Sequence, residues 1–177
     1  MRALVQRVER ARVTVEGSVT GEIGRGLTAF AGVTHADREA DADWLARRVA
    51  GLRVFSDQEK PMQLDVREVG GAVLVVPQFT LYAETRRGRR PDFVAAAEPA
   101  HAEPLIERFC ATLRAEGVRI ERGVFRAHMS VELVNDGPVT LWVESPLSAT
   151  PLSPGSIADR PPAPGGSESA GPAEERS

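Results

Sequence analysis

The stretch NDGPVT at residues 135–140 determines how the end of the folded chain is arranged. Apolar residues alternate with polar ones before it and after it, which predicts a half-buried β-strand on either side. Asn and Asp bond to their own backbone, Gly tolerates positive φ, and Pro fixes φ, so the stretch is typical of a tight turn. A Gly-Pro bond can also adopt the cis form in such turns. The sequence therefore predicts a hairpin between strands that contain Met129, Val131 and Leu133 and then Val139, Leu141 and Val143.

The rest of the chain predicts a mixed α/β fold with a mainly antiparallel sheet or roll and two packed helices. A continuous apolar run at residues 27–33 is typical of a strand that is covered on both faces, so we expect it at the centre of the sheet. The opening predicts a β-meander, with turns at Glu9-Arg10 and at residues 16–18. Other short strands are predicted at residues 4–8, 13–15, 19–23, 53–55, 72–76 and 118–120, and helices at residues 37–52 and 99–117.

Composition changes abruptly after residue 145. The stretch from residue 146 to residue 177 holds seven of the 13 prolines and no aromatic residue. Such a segment buries too little apolar surface to offset the entropy of ordering. We therefore predict one folded domain at residues 1–145 and a disordered tail at residues 146–177.

Charge, cysteine content and hydropathy limit the class of protein. A net charge of -3 is too small to attract nucleic acid through the overall field, so an RNA contact would need local basic patches. The single cysteine, Cys110, cannot form an internal disulfide, and its helical pattern predicts a buried thiol. The first residues, MRALVQR, are interrupted by charge, and no other segment reaches membrane-spanning length. These patterns predict a cytoplasmic protein.

A metal site has little support in the sequence. Acidic residues at positions 37–43 stand at the start of a predicted helix, where carboxylates suit the helix dipole better than they suit a metal-binding loop. The histidines at positions 35, 101 and 128 have no zinc-ligand spacing. We expect neither a metal nor a cofactor.

Polar residues follow the apolar strand at residues 72–76. Pro77 lacks a backbone donor, so the strand should end, bulge or reach a sheet edge there. Gln78 and Thr80 flank Phe79 and alternate as they would at a strand end, where they could face a cleft or face solvent. Arginines cluster at residues 86–90 and could bind phosphate or form a solvated loop.

Two stretches together resemble the signatures of the D-aminoacyl-tRNA deacylases. The segments VVPQFTL at residues 75–81 and NDGPVT at residues 135–140 are similar to the family motifs usually written SQFTL and NxGPVT. The resemblance extends over most of residues 1–144. It implies a hydrolase that cleaves the ester between a D-amino acid, or glycine, and the 3′ end of a tRNA.

The resemblance also implies a homodimer with a site built across the subunit interface. Family members have a cis bond at the Gly-Pro pair that corresponds to Gly137 and Pro138, and this pair enters the partner's pocket. Its carbonyl groups would bind the α-ammonium group of the substrate and stand where an L side chain must project. Rigid main chain would then exclude L-substrates sterically, whereas glycine could not be excluded in this way.

The other family motif implies the opposite wall of the site. The Phe79 backbone N–H, with Gln78 and Thr80, would contact the scissile carbonyl as oxyanion-type donors. By the same resemblance, Ala102 and Met129 would lie near the terminal adenosine and the pocket floor. The 2′-hydroxyl of the tRNA would assist catalysis. Pro77 stands where the common motif has Ser, as in a paralogous group with relaxed chiral discrimination.

Two other functions remain open from the sequence. The arginine cluster and the lack of an acid/base set would also suit a tRNA- or RNA-binding module without catalysis. A hydrolase of D-amino acid derivatives could instead use Thr80 as its nucleophile, although a Thr hydroxyl requires an adjacent base.

Overall fold

A computed structural model describes residues 1–86 and 88–146 of the chain. The predicted tail lies outside these residues, apart from its first residue. The described chain forms six strands, two α-helices and a short 3-10 turn at Phe79–Tyr82. The strands are β1 (Arg2–Val15), β2 (Ser18–Ile23), β3 (Gly26–Gly32), β4 (Ala72–Pro77), β5 (Arg119–Arg122) and β6 (Ser130–Glu144), and the helices are α1 (Glu39–Ala50) and α2 (Pro99–Ala115).

Strand β1 organises the sheet because it pairs along both of its edges. One edge pairs antiparallel with β3 through Arg2–Val8 and with β2 from Ala11 to Val15. The other edge pairs antiparallel with β6 over nearly its whole length. Strand β4 lies parallel to both β3 and β5. The predicted mixed α/β fold with two helices is confirmed, and the 27–33 run forms the central strand.

Alternation along β4 divides the interior into two apolar layers. Val73 and Val75 face the helices, whereas Leu74 and Val76 face the opposite side, where the sheet curls over itself. Helices α1 and α2 cover the first layer, with Leu45 among the residues that are fully buried. Burial of apolar surface on both faces of β4 is the main force that fixes its position.

A buried polar cluster joins the two ends of the sheet to α1. The amino group of Met1 lies 2.5 Å from Asp37 Oδ1 and 2.7 Å from Ser145 Oγ. The Ser145 hydroxyl donates to Asp41 Oδ1 at 2.6 Å, and Asp37 Oδ2 accepts the Thr34 N–H at 2.7 Å. Such charges are tolerated in a protein interior only when they are paired and hydrogen-bonded.

Two local predictions are wrong. Glu9-Arg10 is not a turn, because β1 continues through it and Arg10 pairs with Val134 of β6. Residues 53–55 do not form a strand, since Phe55 makes only an isolated bridge with Leu64. In the first case a pairing distant in sequence decided the conformation.

The predicted hairpin at residues 135–140 is also wrong. Strand β6 runs through this stretch, with Asn135 paired to Val8 and Thr140 paired to Gln6. Residues 136–139 therefore stand opposite the single residue Arg7, and we call them the 136–139 bulge. The turn-forming residues do bend the backbone, but both halves of β6 pair with the same long partner, so the chain does not reverse.

The helix predictions are confirmed. α1 and α2 bury the apolar stripes that their periodicity predicts, and α2 ends just before Gly117, whose φ of +83° suits glycine. Cys110 is fully buried on α2, as predicted, and burial raises the pKa of its thiol to about 11. Neither of these helices is both long enough and apolar enough to cross a membrane.

Candidate active site

A cavity of about 560 Å³ opens where β4 ends, between the start of α2 and the segment that leads into β6. Its inner walls are apolar side chains such as Val33, Val76 and Ile106. Polar side chains also line it: Gln78, Glu98, Arg126 and His128. An apolar cavity with a few polar groups is the usual form of a small-ligand site.

The end of β4 and the start of the 3-10 turn bring Gln78 and Phe79 to the cavity. β4 ends at Pro77, as predicted, and the Gln78 N–H donates to the Ala31 carbonyl at 2.7 Å. The next residues then leave the extended conformation, so the predicted strand-like alternation of Gln78 and Thr80 is wrong. Gly32 of β3 permits this fold, because a Cβ there would lie 2.8 Å from the Gln78 carbonyl oxygen.

The start of the turn presents free backbone donors. No acceptor in the described part of the chain bonds the N–H of Phe79 or of Thr80. The Gln78 side-chain amide donates to the Thr80 hydroxyl, and Thr80 itself does not line the cavity. Phe79 is 58% exposed, with its ring edge-to-face against Phe93 at 5.1 Å between centroids. These N–H groups could stabilise a carbonyl oxygen that develops negative charge.

Two further predicted residues line the same cavity. Ala102 lies in the first part of α2, where its N–H donates to the Glu98 carbonyl at 2.9 Å. Met129 lies just before β6 and packs on Gly123, where a Cβ would lie 2.5 Å from its sulfur atom. The structure therefore brings together Pro77, Gln78, Phe79, Ala102 and Met129 in one cavity.

Gly137 and Pro138 do not line this cavity within the chain. Both are exposed in the 136–139 bulge, and the peptide bond between them is cis. Asn135 closes the base of the bulge, because its Oδ1 accepts the Val139 N–H at 3.0 Å and its amide donates to Thr140 Oγ1 at 3.0 Å. The bulge is thus a preformed projection.

Arg7 supports the bulge from β1. Its Nε lies 2.9 Å from Asp136 Oδ2, and its Nη1 donates to the Val54 carbonyl. The Arg7 side chain is only 13% exposed. A guanidinium held by these two partners fixes the bulge against the body of the protein.

Among the residues that line the cavity, sequence reasoning missed one exposed aromatic residue, Phe93, and three charged or titratable ones, Glu98, Arg126 and His128. Arg126 and His128 lie within three residues of Met129, so their position in the chain could have indicated them. Arg126 adopts a φ of +62°, a conformation that is uncommon outside glycine. Phe93 follows the arginine cluster, and nothing local in the sequence links it to Phe79.

Titratable groups near the turn do not form a nucleophile–base pair. Within residues 1–86 and 88–146, no three His, Cys, Asp or Glu side chains are placed to hold a metal ion. Thr80 Oγ1 has only the Gln78 amide as a bonded partner among the described residues. Burial, and then the charge of Asp37, raises the pKa of Tyr82 above its ordinary value, so this phenol stays neutral. The arrangement suits binding and polarising a carbonyl group.

Comparison with known proteins identifies the relatives of this chain. Residues 4–144 match the family described as D-Tyr-tRNA(Tyr) deacylase. A D-aminoacyl-tRNA deacylase from Symbiobacterium thermophilum is 59% identical over 145 residues, which cover 82% of this chain and 96% of the relative. A D-aminoacyl-tRNA deacylase from Thermomicrobium roseum is 54% identical over 145 residues, which cover 82% of this chain and 94% of the relative. A solved structure of the c-Myc DNA Unwinding Element Binding Protein is similar, with a TM-score of 0.78, 39% identity and coverage of 82% and 99%.

Proposed function

The chain belongs to the D-Tyr-tRNA(Tyr) deacylase family, and we propose that it hydrolyses the ester that joins a D-amino acid to the 3′ end of a tRNA. The observation that carries this proposal is the pair of unbonded N–H groups at Phe79 and Thr80, beside an apolar cavity. Donors that are already in position stabilise the oxyanion of an ester-hydrolysis transition state without reorganisation. A substrate of this kind is found in the cytoplasm, where we expect the protein to act.

We further propose that two copies of the chain complete each site. Gly137 and Pro138 are exposed and outside the cavity of their own subunit. Strand β6, which carries them, pairs only with β1 among the described elements, and Trp142 on this strand is 51% exposed. A homodimer through this region would place the 136–139 bulge of one subunit in the cavity of the other.

In that arrangement the bulge acts as the stereochemical filter. The carbonyl groups of Gly137 and Pro138 would accept hydrogen bonds from the α-ammonium group and occupy the space that an L side chain needs. Main chain held by Arg7 and Asn135 cannot move aside easily, which is why it excludes L-substrates better than a flexible side chain would. Glycyl-tRNA has no side chain to exclude and would be hydrolysed as well, including glycine mischarged on tRNA-Ala.

The remaining chemistry would come from the substrate. Among the described residues, Thr80 has no histidine or lysine bonded to it that could act as its base. The 2′-hydroxyl of the terminal ribose is therefore the proposed group that assists the attack on the ester. In this mechanism Gln78, Phe79 and Thr80 bind and orient the carbonyl, while Pro77, Ala102 and Met129 shape the pocket.

Pro77 is the proposed source of a difference from family members with Ser at this position. Pro has no backbone N–H and no hydroxyl, so the rim of the cavity offers fewer donors here. We expect weaker discrimination between D- and L-substrates than a Pro77→Ser variant shows. Measuring the D/L ratio of kcat/KM for both proteins tests this difference.

The function is tested with purified protein and tyrosyl-tRNA of either chirality. Hydrolysis of D-tyrosyl-tRNA much faster than L-tyrosyl-tRNA is the expected result, with glycyl-tRNA-Ala also cleaved. Equal hydrolysis of the D and L forms would contradict the filter. Tight binding of tRNA without turnover would favour the RNA-binding module instead.

Subunit complementation tests the shared site. A Met129→Trp chain has a blocked cavity and an intact bulge, whereas a Gly137→Val chain has an intact cavity and a disturbed bulge. Unfolding and refolding the two inactive variants together should restore activity, because one mixed site then has both intact parts. No restoration in verified mixed dimers would show that each subunit works alone.

A further inference from the structure

An open groove of about 870 Å³ lies beside the cavity and shares Phe93 with it. We call it the arginine groove. Its lining consists of Glu84, Arg86, Arg90, Pro91, Asp92 and Phe93. A ligand that fills the cavity and continues past Phe93 would therefore enter this groove.

The walls of the arginine groove are held in place by backbone contacts. Glu84 and Asp92 exchange two backbone hydrogen bonds, at 2.8 and 3.0 Å, which close the loop that carries the arginines. Just after Phe93, His35 Nε2 bonds to the Val94 carbonyl oxygen at 2.8 Å, and Thr34 Oγ1 donates to the Ala95 carbonyl at 2.6 Å. Phe93 is thus fixed against the end of β3.

Two arginines and two carboxylates line the groove, and among the described residues only Arg86 and Glu84 of this set form an ion pair with each other. Glu84 forms an ion pair with Arg86, and Asp92 Oδ1 accepts the Val94 N–H at 2.7 Å. Arg90 is exposed and makes no ion pair with any residue in 1–86 or 88–146. Its guanidinium is free to bind an anion, and its planar fork suits a phosphate group.

Two exposed aromatic rings stand at this end of the groove, Phe93 in its lining and Phe79 packed against Phe93. Phe79 is 58% and Phe93 is 37% exposed, and they stand at the junction of cavity and groove. Exposed rings beside cationic side chains are typical of sites for single-stranded nucleic acid, where bases stack on the rings and the cations follow the backbone.

We propose that the arginine groove binds the single-stranded nucleotides that precede the terminal adenosine of the tRNA. Arg90 contacts a backbone phosphate of this segment, and Phe93 stacks against one of its bases. This inference rests on the proposed function, because the ester and the terminal adenosine then occupy the cavity. It adds a docking site for the CCA end that lies outside the catalytic cavity.

Two small substrates separate the groove from the cavity. A D-tyrosyl ester of adenosine fills only the cavity, whereas a D-tyrosyl ester of the trinucleotide CCA also reaches the groove. The quantity to measure is the ratio of kcat/KM for the trinucleotide to that for the adenosine ester. An Arg90→Ala variant should lower this ratio by about fivefold to tenfold, and a Phe93→Leu variant should lower it by at least about fivefold.

Arg89→Ala is the matched control. It removes the same charge from the same loop, but Arg89 does not line the groove, so the ratio should stay close to the wild-type value. Arg90→Ala should also reduce the slope of log(kcat/KM) against log[salt] by about 0.7, as loss of one contact to single-stranded phosphate predicts. The proposal would be overturned if Arg89→Ala and Arg90→Ala lowered the trinucleotide-to-adenosine ratio of kcat/KM equally. It would also be overturned if neither Arg90→Ala nor Phe93→Leu lowered that ratio.

Binding of an unesterified oligonucleotide tests the groove without catalysis. A fluorescein-labelled RNA tetranucleotide, ACCA, should bind the wild-type protein about fivefold more tightly than Arg90→Ala and equally to Arg89→Ala. Equal binding by all three proteins would overturn the groove. If wild-type protein bound ACCA in this pattern but hydrolysed neither ester, the proposed function would fail while the groove remained.

Discussion

Replacing Gly137 with alanine perturbs the bulge and meets only one residue of the core, Val139, at its edge. Gly137 has a φ of +116°, and a Cβ there would lie 2.8 Å from Arg7 Nη2, 3.0 Å from Val139 Cγ2 and 3.2 Å from the Val139 nitrogen. The Arg7 guanidinium can give way only by weakening the ion pair with Asp136 that supports the bulge, and Val139 is a buried residue of the bulge itself. The bulge must therefore shift by some tenths of an ångström.

The energetic cost follows from the backbone conformation and the contacts. A non-glycine residue in this region of φ costs about 1–3 kcal/mol, compared with about 5–15 kcal/mol for the stability of a typical domain. The variant should stay folded, with Tm lower by about 2–10 °C. Misplacement of a positioning group by about 1 Å can reduce a rate by about 10²-fold, so a shift of some tenths of an ångström should lower kcat/KM for D-tyrosyl-tRNA by about tenfold.

The assay pairs thermal unfolding with single-turnover deacylation of D-tyrosyl-tRNA. Gly17→Ala is the matched control, because Gly17 has a φ of +81° and no atom lies within 4 Å of the position that a new methyl group would take. It should show the loss of Tm without the loss of activity. A Gly137→Ala enzyme that retains activity within about twofold of wild type would refute the role of the bulge.

Three other substitutions test separate parts of the structure. Thr80→Val should lower kcat/KM for D-tyrosyl-tRNA by about tenfold, whereas a loss of about 10⁴-fold in the same assay would identify Thr80 as the nucleophile. Gly123→Ala places a methyl group 2.5 Å from Met129 Sδ and should raise KM several-fold while lowering stability by about 1–3 kcal/mol, measured by steady-state kinetics and urea unfolding. Hydrogen bonds from Arg108 and Thr112 lower the pKa of Asp43 to about 2, so their contribution is present above about pH 4 and is lost as pH falls towards 2. Asp43→Asn should accordingly cost about 1 kcal/mol at pH 7 and nearly nothing at pH 2 by urea unfolding, and a constant difference across that range would contradict the assignment.

The spacing of apolar residues predicted those elements that are positioned by burying their own apolar side chains. The buried central strand and the apolar stripes of α1 and α2 follow directly from the spacing of apolar residues. A hairpin turn is predicted at residues 135–140 because the residue types that form a reversing turn also form a bulge within one strand. Only the length of β1, which pairs with both halves of β6, distinguishes the two.

The candidate site was predictable only in part. The Pro77–Thr80 segment was located by its motif, yet its helical turn depends on the close approach of Gly32 on another strand. Phe93 meets Phe79 only in the folded chain, since the loop contacts at Thr34 and His35 place it there. Such contacts between distant parts of the chain leave no local pattern.

The pairing of β1 with β6 also affects how the protein is made. Among the described elements, the strand at residues 2–15 is synthesised first and its partner at residues 130–144 is synthesised last. Contacts of such large sequence separation slow folding. The edge of β1 that pairs with β6 therefore stays unpaired until β6 has been synthesised. An unpaired strand edge is prone to aggregation, so the nascent chain is a candidate for chaperone protection.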